Sequence, residues 1–283
     1  MLSPCDSFEL KLKNMKQYLL TGLGVLALAL SIQAQQNAGT VIYERTSKLQ
    51  FSFAGMPGGM EQQMPTTRTD KFELVFGNNK SLWKQAENEN ENEGSFTSDN
   101  GAHIQMIVAG SNDVLFSDLE KSRKVESREL MDKSFLIDDS ISKLKWKMTG
   151  ETKTILNHPC MKATATRTSK RTNMNMDNGV MTRQEVNDTS TIIAWFATDI
   201  PVSAGPGEFQ GQLPGLILEM DVKDGTQTYK ALSLSGKADL GVIKEPAGKK
   251  RYTTAEFAVE REKMMKEMEQ NSGGGNRRVI RMN

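Results

Sequence analysis

Short runs of alternating apolar and polar residues make up most of this chain. Leu49, Phe51 and Phe53 alternate with Gln50 and Ser52, and Phe72, Leu74 and Phe76 alternate with Glu73 and Val75. Ile104, Met106 and Val108 repeat the pattern, and so do Leu144, Trp146 and Met148 against Lys145 and Lys147. A period of two marks a strand with one face buried. Gly77-Asn78-Asn79 turns the second run into Leu82-Trp83, and Val114-Leu115-Phe116 is a short apolar run. Ile192 to Phe196 is continuously apolar, as expected of a strand covered on both sides. Further on, Leu216, Leu218, Met220 and Val222 alternate with Ile217, Glu219 and Asp221. Asp224-Gly225, a pair suited to a tight type I′ turn, then leads into Thr226, Thr228, Lys230 and Leu232, alternating with Tyr229 and Ala231. Strands at this spacing, without long helical patterns between them, predict a mostly β fold: an antiparallel, strongly curved sheet or incomplete barrel.

Three stretches break the rhythm. Met56 to Thr67, with Pro57, Gly58 and Gly59, reads as a loop. Residues 86–94 are an acidic low-complexity excursion between strands, and Lys170 to Met181 is a polar hairpin tip. The last element is helical. Thr253-Thr254-Ala255-Glu256 is a capping box, and Phe257, Glu260, Met264 and Met265 or Met268 follow at helical spacing. The helix is expected from about Thr253 to Gln270, packed against the sheet or across its open side. Gly273-Gly274-Gly275 stops it, so 251–283 reads as a helix followed by a basic, disordered tail with Arg277, Arg278 and Arg281.

The N-terminus carries an address. Lys11, Lys13 and Lys16 precede the apolar run Leu23 to Leu30, which ends at Ser31-Ile32-Gln33-Ala34. That is a secretory signal over 1–34, too short for a membrane span, and Met15-Lys16-Gln17 itself opens a complete signal. Cleavage after Ala34 leaves a β domain over 35–250 and no second long apolar run, hence no transmembrane segment in the mature chain. It also leaves basic and acidic residues in balance, which argues against nucleic acid as a partner. Cys5 departs with the signal and Cys160 remains alone, so no internal disulfide holds the fold and the thiol is either buried or reactive.

Between two of the predicted strands runs Gly205-Pro206-Gly207-Glu208-Phe209-Gln210-Gly211-Gln212-Leu213-Pro214-Gly215-Leu216. Pro206 and Pro214 cannot occupy a central strand, and the glycines permit positive φ or close backbone approach. The loop therefore reads as a rigid folding and packing device. It resembles the signature of the GLPGLI family, exported proteins found mainly in Bacteroidetes, of Porphyromonas type and unknown activity. The resemblance extends upstream through Trp146, Glu151-Thr152-Lys153, Ile155, Cys160, Lys162 and Ala163, then Ala194-Trp195, Ile200-Pro201 and Gly205-Pro206. Gln212 stands where the family has glycine. If that glycine supplies a positive φ, either Gln212 is strained or Gly211 does so one residue early. Trp146, Trp195, Gly205, Pro206, Leu213, Pro214, Gly215 and Leu216 are the candidate binding residues on this basis.

Candidates for chemistry are sparse. His103 and His158 are the only histidines, and no nucleophile elbow, zinc-protease helix pair or P-loop occurs. Asp138-Asp139 and Asp118 with Glu120 could form an acid/base pair, but such carboxylates usually lie on a solvated surface. Met56, Met60 and Met64 recur every four residues, while Met174, Met176 and Met181 cluster in the second loop. Thioethers are soft ligands suited to Cu(I). His158, Cys160 and Met161 add an imidazole, a thiol and a thioether, but alternation sends Cys160 and Met161 to opposite faces. Trp83, Trp146 and Trp195 suggest either sugar stacking or core packing. The expectation is a non-enzymatic, exported binding or chaperone-like protein, in the periplasm or at the outer membrane, for an apolar ligand or envelope partner. Its cavity would be lined by Leu144, Trp146, Met148 and Leu218. A periplasmic Cu(I)-binding protein using Met56, Met60 and Met64 is the alternative, and an enzyme of unknown reaction the third reading.

Overall fold

The computed structural model describes residues 37–48, 67–86, 95–97, 103–105, 113–130, 133–177 and 180–273. The expected export signal over 1–34, the expected strand at 49–53, the expected methionine loop with Met56, Met60 and Met64, the acidic stretch 87–94, Met106, Val108 and the basic tail lie outside the described residues.

The first strands are β1 (Gly39–Lys48), β2 (Thr67–Gly77) and β3 (Lys80–Gln85); β4 (Ser95–Thr97) and β5 (His103–Gln105) pair with each other. Then come β6 (Val114–Asp118), β7 (Arg123–Leu130), β8 (Lys133–Ser140), β9 (Lys147–Ile155), β10 (His158–Asp177) and β11 (Val180–Ala197). β12 (Ile217–Val222), β13 (Gln227–Ser235), β14 (Arg251–Tyr252) and helix α1 (Thr254–Gly273) complete the chain order. Twelve strands form one sheet in the order β14-β8-β7-β6-β3-β2-β1-β13-β12-β11-β10-β9. Two antiparallel meanders, one from β1 to β8 and one from β9 to β13, join where β1 pairs with β13. The sheet is open, with β14 and β9 at its edges, and β14 runs parallel to β8, so it is mixed rather than purely antiparallel.

It is nevertheless strongly curved. Ile137 on β8 and Tyr229 on β13 lie six strands apart, which on a flat sheet means about 29 Å, yet both line one cavity. The concave side is largely filled. Ile200, Val202, Ala204, Phe209, Leu213 and Leu216 of the glycine- and proline-rich loop pack on Val41, Tyr43, Leu74, Trp83 and Phe196 of the sheet. Small residues make room for the loop: Ala163 and Ala194 are register partners on β10 and β11, and both are fully buried. On the other face, Leu82, Phe116, Val125 and Leu136 form a second cluster covered by Ile243. Helix α1 packs Phe257 and Met264 against Phe135 and Ile137 of β8, on the concave side near the edge. Its capping box forms reciprocally: Glu256 N–H donates to Thr253 Oγ1 at 3.2 Å, and Thr253 N–H donates to Glu256 Oε2 at 2.7 Å. No described helix is long and apolar enough to cross a membrane.

Several local expectations need correction. The polar stretch Lys170–Met181 is mostly strand: β10 and β11 pair continuously from Cys160↔Ala197 to Asp177↔Val180. Beyond about Ala165 and Ile192 these two strands pair only with each other, so a two-stranded ribbon leaves the sheet. Strand β9 begins at Lys147, not Leu144, and Met148 is exposed. The turn at Asp224-Gly225 is a four-residue loop, Lys223 to Thr226, with positive φ at Lys223, Asp224 and Gly225. Two-residue turns with both φ positive do occur at Asn78-Asn79 and Leu156-Asn157.

Candidate functional site

The inward-facing rows of the sheet change character along the strands. Nearest the packed loop the row across β1, β2, β3 and β6 is Val41–Leu74–Trp83–Leu115, and it continues as Glu126–Ile137 on β7 and β8. The next row carries Tyr43, Phe72 and Gln85. One row further, Tyr229, Arg45 and Asp70 are register partners on β13, β1 and β2. The parity that delivers Val41 and Tyr43 to the core thus delivers Arg45 to its margin. In the same way Leu74 and Phe72 are followed, toward the N-terminal end of β2, by Asp70 and Arg68.

Above this aromatic floor lies a cavity of about 450 Å³. Its walls include Arg45, Arg68, Phe72, Trp83 and Gln85, then Asp113, Lys124, Glu126 and Arg128, with Glu208 from the loop and Phe257 from α1. The rings offer little free surface. Trp83 stacks on Phe72 at 4.8 Å and tilts against Tyr43 at 5.4 Å. The Arg45 guanidinium covers the other part of Phe72 at 4.5 Å, and that of Arg128 approaches Phe257 at 5.4 Å. Charged groups therefore make the accessible walls.

They are tightly organised. Asp70, nearly buried, accepts from Arg45 Nη2 at 2.8 Å and from Arg68 Nε at 2.9 Å. Arg167 of β10 pairs with Glu208 at 2.5 Å. Across the cavity Arg128 Nε donates to Glu126 at 3.0 Å and lies 3.7 Å from Asp113. Burial holds the Asp113 carboxyl above its usual range, although the Glu129 N–H and Arg128 act the other way. Burial likewise pushes the Tyr229 phenol up to about 12.

The expected binding residues lie elsewhere. Leu213 and Leu216 are core, Gly205 and Pro206 are buried, and Pro214 is exposed at the loop surface. Gly215 is there for close approach: a Cβ would sit 2.0 Å from the Ala197 carbonyl oxygen. Gly211 takes φ +72, doing the work one residue before Gln212. Gln212 instead ties down the segment before β9, accepting from Leu144 N–H at 2.9 Å and Trp146 Nε1–H at 3.3 Å and donating to Ser142 O at 2.9 Å. Trp195 lies half-buried on the opposite face from Ala194, beneath Lys153 Nζ at 4.3 Å. The apolar container expected around Leu144, Trp146, Met148 and Leu218 is absent at that place. Leu218 is fully buried within solid core and Met148 points to solvent, because the loop fills the trough there.

The other candidates are structural in their contacts. Asp138 is held by Arg123 and Arg251, and Asp139 accepts from the Thr254 N–H at the start of α1. Cys160 is buried, its thiol pushed up to about 11 by burial, and Met161 falls on the other face. His158 Nδ1 lies 2.8 Å from Asp199 Oδ2, at the β9–β10 turn. Arg45, Arg68, Asp113, Glu126 and Arg128 escaped the sequence reading. The available signal was charge continuing at the inward parity past the end of each apolar run.

A family model described as a protein of unknown function, Porph_ging, matches residues 146–219. That span begins before β9 and ends in β12, and so contains the whole of the packed loop. No curated protein matches the chain. Among solved structures, one titled "Structure of PNGF-II in C2 space group" is similar at 16% identity and a TM-score of 0.46. The alignment covers 78% of this chain and 32% of that one.

Proposed function

We propose that this is an exported, non-enzymatic binding protein of GLPGLI type, whose ligand enters the cavity between the packed loop and α1. The observation that carries this is the cavity itself: about 450 Å³, with converging polar groups over an aromatic floor. That size lies within the range of small-molecule sites, roughly 300–1,000 Å³. Export rests on the signal over 1–34. A binding role is supported by what the titratable candidates do: Asp138 and Asp139 hold the β14–α1 edge, and Cys160 is a buried, weakly acidic thiol. The ligand differs from the one the sequence suggested. The walls are charged, so the occupant carries polar groups as well as apolar surface.

Native mass spectrometry of the mature protein recovered from the cell envelope, beside the denatured chain, tests the reading. The expected result is a co-purifying mass of small-molecule size that is lost in Gln85→Trp, a substitution that fills the cavity. A wild-type mass equal to the bare chain, or an adduct retained by Gln85→Trp, would overturn it.

A further inference from the structure

The charges around the cavity are sorted by wall. On the β10–β1–β2 side, Arg45, Arg68 and Arg167 hold two carboxylates, Asp70 and Glu208, which leaves one positive charge in excess. On the β6–β7 side, Arg128 faces two carboxylates, Glu126 and Asp113, which leaves one negative charge in excess. Lys124 also lines this wall and lies opposite Asp139 in the β7–β8 register, so counting both leaves two cations to three carboxylates, still one negative charge in excess. From this segregation we infer that the cavity binds a dipolar ligand: its carboxylate against Arg45 and Arg68, its ammonium against Asp113 and Glu126. The inference rests on the binding role proposed above and names the ligand's chemical class.

Geometry sets the separation of the two charges. Arg68 is on β2, and Asp113, just before β6, is two strands away in the sheet order and level with Phe72, four residues from Arg68 along β2. Their backbones are about 16 Å apart at ordinary strand geometry, and the two side chains shorten what a ligand must bridge. A free amino acid is too short to reach both walls. An extended chain advances up to about 3.5 Å per residue, so a peptide of about three residues with free ends spans the gap that the Arg68 and Asp113 side chains leave between them. The sites differ in kind as well as sign. Guanidinium forks suit a planar carboxylate, whereas an ammonium takes two carboxylates as a point charge. Phe72 and Trp83 lie beneath the two walls, covered by each other and by Arg45, so the charged groups rather than the rings carry the recognition. Burial holds the Asp113 carboxyl above its usual range although Arg128 acts against it, and a second cation beside it would favour its charged form.

Isothermal titration with trialanine, N-acetyl-trialanine and trialanine amide is the test. The zwitterion should bind saturably, and each cap should weaken binding at least about tenfold, the loss of one charge-assisted contact. Arg68→Gln should make the free acid and the amide equivalent, and Asp113→Asn should do the same for the free and acetylated amines. Circular dichroism of both variants controls for folding. No saturable heat with trialanine, or equal binding of the capped peptides, would overturn the inference. If native mass spectrometry meanwhile finds an uncharged molecule in the cavity, the binding role stands and this assignment alone fails.

Discussion

Tyr43 takes a hydroxyl into a fully buried site, where it donates to the Ile217 carbonyl at 2.5 Å and ties β1 to the first residue of β12. Tyr43→Phe would leave that carbonyl without its donor inside the core. It should lower stability by about 1–3 kcal/mol, measured by urea unfolding. Gly215→Ala asks a different question of the same region. A Cβ there meets backbone rather than a pliable side chain, so the cost should be about 3 kcal/mol or more. A near-neutral result would mean that the loop can shift. Cys160 should resist iodoacetamide in the native protein and react once unfolded, since its thiol is both covered and weakly acidic. Its burial was legible, because a lone Cys in an alternating run is usually a small apolar residue. Arg45 was not legible: an arginine at an inward position looks the same in sequence as one that ends a strand.

Among the elements, the β14–α1 edge depends on ionised carboxylates. Arg123 donates to Asp138 and to Glu245 at 2.8 Å each, and Arg251 contacts the same two acids at 2.7 and 2.8 Å. These hydrogen bonds hold Asp138 below its usual range and Glu245 down at about 2, against 4.5 when free. A lowered acid stabilises the fold above its unfolded value and loses that contribution as pH falls through the folded one. Wild type and Glu245→Gln should therefore differ in stability at pH 7 and converge between pH 4.5 and pH 2. A gap that persists at pH 2 would assign the effect to something other than charge. Nothing in the sequence pairs Arg123 with Glu245, 122 residues away, whereas the capping box of α1 could be read directly because both partners lie within four residues. The long β10–β11 ribbon was missed for a related reason. Its outer half is mostly polar in sequence, and with so little apolar alternation a strand resembles a loop.

At the scale of the molecule, the curved β architecture and terminal helix were legible from period two and one cap. The occupant of the concave side was not. Alternation shows which faces are buried but not what covers them, and here a loop from the same chain does so. The cavity that remains is what the loop and α1 leave uncovered, and its charged walls follow from where the apolar runs stop. The joining of the two meanders has a further consequence for how the chain comes to be folded. β1 pairs with β13, so Thr40 meets Ser235 across nearly the whole described length. While the chain is being made, the first meander must wait, with one flank of β1 unsatisfied, until the last hairpin exists. Such long-range closure is slow and leaves hydrogen-bonding edges open to the wrong neighbours. Speed of closure, rather than final stability, is then where this protein is most vulnerable, and agents that keep chains apart during synthesis should raise its yield more than those that stabilise the finished fold.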